Sequence, residues 1–187
     1  PPLYCKRVGD EGLYRWFSPV LERCRAPREV LVYHLPSITA VPLSSPLIGR
    51  LKRAFPGVVT GVKDSSGEWA NTERLLADHA DLHILVGDER QLARAMRQGG
   101  SGAINGFSNF CARTILPMVE RGEDVAGIAE LVDLLLRHPV TPGVKALVAH
   151  RFRDDAYLAV APPLVPADPA ARAALAAAFD ALPARQR

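Results

Sequence analysis

Apolar and polar positions follow two different rhythms along the chain. Short, continuous apolar runs predict β-strands, and longer stretches in which apolar residues recur every three to four positions predict α-helices. The predicted strands cover residues 29–35, 58–63, 82–86 and 102–105. The predicted helices cover residues 10–25, 43–55, 69–79, 89–98 and 111–121, and then 123–137, 141–150 and 168–182 without further strands.

Each predicted strand is separated from the next by a helix, and the strands lack polar alternation. This order predicts βαβ units and a parallel sheet covered on both faces, so the fold class is α/β. Four such units fit either a small open sheet or half of an eight-stranded barrel. Both folds bind ligands at the carboxyl ends of their strands. The positions of interest are therefore Tyr33, Lys63, residues 87–89 and residues 104–106.

Composition and charge exclude several classes of protein. Within 187 residues, no apolar run approaches the roughly 18 residues of a membrane-spanning helix. The 23 basic residues are interspersed with 20 acidic ones and only 6% of residues are aromatic, so we expect no nucleic-acid partner. Three widely spaced cysteines form neither a metal-ligand pattern nor a disulfide framework, which predicts no metal site and a reducing, cytoplasmic location.

Lysine is rare in this chain, which makes Lys63 informative. Only four of the 23 basic residues are lysine, and Lys63 ends the second predicted strand. A lysine, unlike an arginine, can lose its proton and act as a nucleophile. A neutral amine attacks a ketone to form an imine, and the protonated imine accepts the electrons of an adjacent carbon–carbon bond. The alternative is a surface lysine whose stem packs along the strand end.

Other polar groups are predicted at the same edge of the sheet. Tyr33 ends the preceding strand, where its phenol either moves protons beside Lys63 or belongs to the core. Residues 64–68, with Ser65, and residues 87–89, with Asp88, fit either hydroxyl binding or a turn and helix cap. The glycine-rich residues 99–106 precede a strand, which is the wrong order for a dinucleotide site and better fits close approach to a small anion.

Four segments occur in an order and spacing that resembles a known family. They are Tyr33-His34-Leu35-Pro36-Ser37, Gly61-Val62-Lys63-Asp64-Ser65-Ser66-Gly67, Val86-Gly87-Asp88 and Gly102-Ala103-Ile104. The family is the dihydrodipicolinate synthase / N-acetylneuraminate lyase family, and the resemblance runs from Pro1 to about Leu164. It implies the C-terminal half of a (β/α)8 TIM barrel over residues 1–122, with a C-terminal helical extension of the same domain over residues 123–187.

The resemblance also implies a chemistry. Lys63 would form a Schiff base with pyruvate or another 2-oxo acid, and Tyr33 would relay protons in a lyase or aldolase reaction with an aldehyde. Ile104 and Gly87 would line the pocket, and Tyr4 would reach the relay of a neighbouring subunit in a homodimer or tetramer. No metal or organic cofactor is expected, because the imine itself serves as the electron sink.

The sequence departs from the family pattern in two places. Dihydrodipicolinate synthases carry an arginine two residues after the proline of their Tyr-x-x-Pro segment, and this chain has Ile38 there. We therefore expect a relative that acts on a different 2-oxo acid adduct, with the synthase itself as the alternative. The chain also does not begin with Met and lacks the family's Gly-Thr-Thr-Gly-Glu segment, so we expect a truncated half-barrel that is inactive alone. An unrelated open-sheet protein that binds phosphorylated ligands is the remaining alternative.

Overall fold

The computed structural model describes residues 5–23 and 29–183. Its strands are β1 (Val30–His34), β2 (Val59–Asp64), β3 (His83–Val86) and β4 (Gly102–Ala103). Its helices are α1 (Asp10–Arg23), α2 (Pro36–Thr39), α3 (Ser45–Ala54), α4 (Trp69–Asp78), α5 (Glu89–Arg97), α6 (Ala112–Arg121), α7 (Ile128–Leu135), α8 (Val140–Phe152) and α9 (Pro169–Asp180). Short 3-10 turns cover Phe107–Asn109 and Asp155–Leu158.

The described chain forms two compact units, one ending at Ile104 and the other beginning at Asn105. In the first unit, the four strands are parallel and lie in the order β1-β2-β3-β4. Spatial order therefore follows chain order without a reversal, whereas a doubly wound sheet reverses its order part-way. This is the arrangement of four consecutive strands of a (β/α)8 barrel.

The two faces of this sheet differ in exposure. Helices α3, α4 and α5 pack against it, and one set of strand side chains is buried: Val32, His34, Val62, Asp64, Ile84 and Val86. On the other face, Leu31 and Tyr33 are 37% and 40% exposed. The expectation of a sheet covered on both faces is therefore wrong for the described residues. Crossovers of one hand between neighbouring strands place the helices on the same side of the sheet.

A β-bulge sets the register between β1 and β2. Val30 pairs with Val59 but Leu31 pairs with Gly61, so Thr60 is an extra residue in β2. A Cβ on Gly61 would lie 2.5 Å from the carbonyl oxygen of His83 and 2.5 Å from Cδ2 of Leu31. Only glycine therefore allows the three strands to approach each other here.

The second unit consists of helices around an aromatic core. The ring of Phe110 lies 5.0 Å from that of Phe107 and 5.6 Å from that of Phe179, between centroids.

The helix predicted to begin at residue 123 begins only at Ile128, because Gly127 has a φ of +84°, outside the helical region. The four-residue helix α2 was not predicted, and the predicted end of the first helix, at residue 25, lies outside the described residues. The predicted division of barrel and extension at residue 122 stays a prediction.

None of the helices in the described ranges is long and apolar enough to cross a bilayer.

We expect Gly61→Ala to lower the free energy of unfolding by about 1–3 kcal/mol, because the new methyl group overpacks the β1–β2–β3 junction. Gly12→Ala is the matched control. Gly12 lies in α1, where a Cβ meets nothing within 4 Å, so this change should raise the free energy of unfolding by up to about 1 kcal/mol. Urea denaturation of both variants measures the difference, and equal effects would contradict the packing argument.

Candidate active site

Lys63 and Tyr33 lie side by side on the open face of the sheet. They are register partners on neighbouring strands, and Nζ of Lys63 lies 4.1 Å from the centroid of the Tyr33 ring. This is a cation–π contact with the face of the ring. Among the described residues, Lys63 forms no ion pair, whereas Nζ of Lys52 lies 2.7 Å from Asp81. The half-buried amine of Lys63 is therefore not held by a carboxylate.

The strand ladder continues beyond Lys63 and adds three residues to the same face. The amide of Ser65 donates to the carbonyl of His34 at 2.8 Å, that of Gly87 to Asp64 at 2.7 Å, and that of Ile104 to Val86 at 3.1 Å. Because side chains alternate along a strand, residues two positions after Lys63 and its partners return to the open face.

Gly87 lets the loops after β2 and β3 come together. A Cβ at Gly87 would clash with the side chain of Ser65, so these two residues face each other directly. No hydrogen bond to the Ser65 hydroxyl is found within residues 5–23 and 29–183, which leaves it able to bind a ligand. Ile104, 43% exposed, provides an apolar side chain after β4.

Asp88 has a different environment from the other predicted site residues. Its carboxylate accepts a hydrogen bond from the amide of Arg90 at 3.0 Å and pairs with the Arg90 guanidinium at 2.6 Å. Asp88 is thus the N-cap of α5, one of the two alternatives that the sequence left open. Its assignment as a substrate ligand stays a prediction. Tyr4, the predicted residue of a shared site, lies outside the described residues.

A buried carboxylate supports the loop that follows Lys63. Asp64 points to the helix-covered face and accepts hydrogen bonds from the Ser66 amide at 3.0 Å, Nδ2 of Asn71 at 3.0 Å and the Thr72 hydroxyl at 2.7 Å. Thr72 also lies 2.9 Å from the side-chain amide of Gln91 on α5. The carboxylate therefore joins the end of β2 to the first turn of α4. In the sequence, Asp64 belongs to the polar run 64–68, and no pattern distinguishes it from its neighbours.

His34 is the register partner of Asp64 on the buried face. Its Nδ1 accepts a hydrogen bond from the Leu43 amide at 3.0 Å, which requires this nitrogen to be unprotonated. Burial lowers the pKa of His34 below its usual value, and the charge of Asp64 opposes this effect. The imidazole therefore anchors the segment before α3 as a neutral group.

The glycine-rich segment before β4 uses its backbone amides within the fold. The amides of Gly99, Gly100 and Ser101 donate to Met96, Ala95 and Ile84 at 3.2, 2.9 and 2.8 Å. These N–H groups are therefore not available to an anion, which argues against a phosphate-binding loop here.

Comparison with known proteins identifies the family. A model described as the dihydrodipicolinate synthetase family matches residues 1–182. The chain belongs to this family. A dihydrodipicolinate synthase structure from Agrobacterium tumefaciens superposes with a TM-score of 0.94 at 52% identity, over 97% of this chain and 64% of that one.

Two curated relatives give the same family at lower identity. An uncharacterized DapA-like lyase of Chloroflexus aurantiacus is 30% identical over 96% of this chain. A 4-hydroxy-tetrahydrodipicolinate synthase of Sorangium cellulosum is 33% identical over 98% of it. The chain spans 62% of the length of each of these two relatives.

We expect the stability of this dihydrodipicolinate synthetase family chain to fall as pH drops through the range in which histidine titrates. The unfolded state takes up a proton near the ordinary histidine pKa, whereas the lowered pKa of His34 keeps the folded state from doing so. The unfolded state therefore binds more protons, and stability rises with pH in this window and levels off below the folded pKa.

His34→Asn separates this effect from the other titrating groups. The side-chain oxygen of the asparagine is able to accept the hydrogen bond from the Leu43 amide, and asparagine does not titrate. Urea denaturation between about pH 5 and pH 8 should therefore show a shallower pH dependence for the variant than for the unaltered chain. Identical slopes for the two proteins would exclude His34 as the source.

Proposed function

We propose that Lys63 is the imine-forming lysine of a carbon–carbon lyase or aldolase that acts on pyruvate or another 2-oxo acid. The observation that supports this most is the position of its amine. Nζ lies on the open face at the carboxyl end of β2, beside Tyr33 and without a carboxylate partner among the described residues. The family of the chain, which includes a relative described as a DapA-like lyase, supports the same reaction class.

The proposed reaction starts with attack of the neutral Lys63 amine on the ketone carbon. Loss of water gives an imine, which is protonated on nitrogen. In the cleavage direction, the hydroxyl group on the second carbon from the imine carbon loses its proton. The bond between that carbon and the carbon next to the imine carbon breaks, and an aldehyde leaves. The electron pair of that bond moves into the imine to give an enamine. Protonation of the enamine carbon and hydrolysis then release the 2-oxo acid and the lysine.

Tyr33 is proposed to carry protons in these steps. Its ring packs under the Lys63 amine, so its phenol belongs to the same surface and lies within the region that an imine would occupy. General acid–base catalysis requires such a group within hydrogen-bonding reach of the reacting atoms. In the described structure, the contact with Lys63 is made through the ring face, and the hydroxyl is left for a substrate.

The surroundings of Lys63 suit a short, polar substrate. The Ser65 hydroxyl and the backbone at Gly87 lie beyond the amine, and Ile104 adds an apolar surface. We assign Ser65, Gly87 and Ile104 to the substrate pocket on this geometry. A prophage protein of the same family from E. coli K12, 21% identical and similar in fold with a TM-score of 0.78, was crystallised with pyruvate, which makes pyruvate the first probe.

The synthase reaction is the second candidate, and one observation favours it. The Agrobacterium tumefaciens protein that is 52% identical to this chain is described as a dihydrodipicolinate synthase. Against it, Ile38 stands where the family resemblance places an arginine, and Ile38 is 74% exposed on α2, just after β1. An isoleucine cannot bind a second carboxylate, so we favour an aldehyde other than aspartate semialdehyde.

The activity that we propose belongs to a protein of the length of these relatives. This chain spans 62% of the Chloroflexus relative, and one face of its sheet is open. We propose that turnover requires the rest of a barrel, and that Tyr4 contributes to a shared site in a homo-oligomer.

We expect borohydride to trap pyruvate on Lys63. Peptide mass spectrometry should find the reduced adduct on the peptide that contains Lys63, and Lys63→Arg should abolish it. Lys145→Arg is the matched control, because Lys145 is also half-buried and has no ion pair among the described residues, and it should leave the adduct unchanged.

The trapping is done on this chain and on a chimaera. In the chimaera, the N-terminal segment of the Agrobacterium protein that this chain does not match precedes residue 1. An adduct on the chimaera alone would show that the chemistry needs the rest of the barrel. No adduct on either protein would refute the assignment of Lys63.

We expect Ile38→Arg to raise kcat/KM for aspartate semialdehyde about ten-fold in the chimaera with pyruvate, because a guanidinium supplies a charged hydrogen bond to the second carboxylate. Ser37→Arg is the control, since it adds the same charge at the exposed neighbouring position. If the unaltered chimaera already uses aspartate semialdehyde efficiently and Ile38→Arg does not raise kcat/KM, the synthase reaction is the activity of the chimaera.

A further inference from the structure

Thr72 is fully buried in the first turn of α4. A threonine inside a helix often donates its hydroxyl to a carbonyl of the preceding turn. The Thr72 hydroxyl instead lies between two other elements of the first unit. It is 2.7 Å from Oδ2 of Asp64 at the end of β2, and 2.9 Å from Oε1 of Gln91 in the first turn of α5. Thr72 therefore joins α4 both to the strand that carries Lys63 and to the helix that follows β3.

Asp64 connects this hydroxyl to both loops of the proposed site. Its carboxylate accepts the amide of Ser66 at 3.0 Å, and its backbone carbonyl accepts the amide of Gly87 at 2.7 Å. The loop after β2 is thus held by the side chain, and the loop after β3 by the backbone of the same residue. Because Asp64 is 3% exposed, water cannot replace a donor that its carboxylate loses.

Ser65 is the residue whose position this network determines. It stands between Asp64 and Ser66 in the chain, and its side chain faces Gly87 so closely that a Cβ there would clash with it. No hydrogen bond to the Ser65 hydroxyl is formed within the described ranges. The position of this hydroxyl therefore depends on the backbone of its loop and on the distance to the loop after β3.

We propose that Thr72 is a positioning residue of the site around Lys63. Its hydroxyl holds the loops after β2 and β3 at a fixed distance through Asp64 and Gln91. This distance places the Ser65 hydroxyl for a bound 2-oxo acid. Thr72 is itself inaccessible and does not touch the substrate. The inference rests on the proposed function, which assigns Ser65 to the substrate pocket.

Two substitutions of Thr72 separate this role from a contribution to stability. Thr72→Val keeps the volume of the side chain and removes the hydroxyl, whereas Thr72→Ser keeps the hydroxyl and removes a buried methyl group. We expect Thr72→Val to raise, about five-fold, the pyruvate concentration that gives the half-maximal initial rate of borohydride trapping in the chimaera, as for one lost hydrogen bond. Thr72→Ser should leave this concentration unchanged although it lowers the free energy of unfolding. The maximal rate should be the same in both variants, because Lys63 and Tyr33 are unaltered.

Gln91→Met tests the link to α5 in a fold that keeps its buried carboxylate satisfied. It removes the contact with the Thr72 hydroxyl but leaves Asp64 all three of its donors. We expect the half-saturating pyruvate concentration to rise about two-fold or more. Circular dichroism of each variant reports whether it is folded. If Thr72→Val does not fold, an unchanged half-saturating concentration in folded Gln91→Met overturns the proposal.

Ser65→Ala tests whether Thr72 acts through Ser65. It should raise the half-saturating pyruvate concentration to a similar extent, and Thr72→Val should add little to it, because both changes weaken the same contact with the substrate. Thr114→Val is the matched control. Thr114 is also fully buried in a helix, α6, but its hydroxyl has no hydrogen-bond partner among the described residues, so this change should leave the half-saturating concentration unaltered.

The outcomes distinguish this proposal from the proposed function. An unaltered chimaera that traps no pyruvate would refute the proposed function and, with it, the role of Thr72. If the unaltered chimaera traps pyruvate and Thr72→Val has the same half-saturating concentration, only the role of Thr72 is overturned. An equal rise in Thr72→Ser would also overturn it, because lost stability would then explain the effect. Additive effects of Ser65→Ala and Thr72→Val would overturn the path through Ser65.

Discussion

The pairing of β1 with β2 is the constraint on which the rest of the site depends. In this register Tyr33 lies opposite Lys63, and His34 lies opposite Asp64. Because successive side chains point to opposite faces, the proposed reactive groups share the open face and the supporting groups share the buried one. A slip of one residue would exchange the faces and bury the lysine under the helices. The β-bulge sets this register, and Gly61, which has no space for a Cβ, allows β1, β2 and β3 to pair in it two positions before Lys63.

The alternation of side chains between the two faces of the sheet also keeps the Asp64 carboxylate away from Lys63. Asp64 follows Lys63 directly in sequence, yet its charge is directed into the layer of helices. A buried carboxylate is costly unless hydrogen bonds compensate for the lost water. Three donors from the loop and α4 do so here, which fixes the loop that carries Ser65. The same carboxylate is therefore not available to form an ion pair with the amine of Lys63.

Much of this arrangement could be predicted from the sequence, because short, continuous apolar runs and the rule that parallel strands end at one edge place Tyr33 near Lys63. Elements without a periodic signal could not be predicted. The helix α2 has only four residues, and the apolar period continued across Gly127, whose left-handed φ delays the start of α7. The bond between the His34 ring and the chain before α3 could not be predicted either, since it depends on the path of a loop.

The open face connects the stability of the fold with the proposed chemistry. Leu31 and Ile104 are 37% and 43% exposed, and covering such side chains with further strands is favourable because apolar surface leaves water. An imine on Lys63 is hydrolysed by bulk water, so the proposed lyase reaction needs the same surface to be enclosed. A cover over this face would thus stabilise the sheet and protect the intermediate through the same side chains. A polar substitution at Leu31 or Ile104 would weaken both the stability of the sheet and the protection of the imine. A substitution of Lys63 would instead remove imine formation alone.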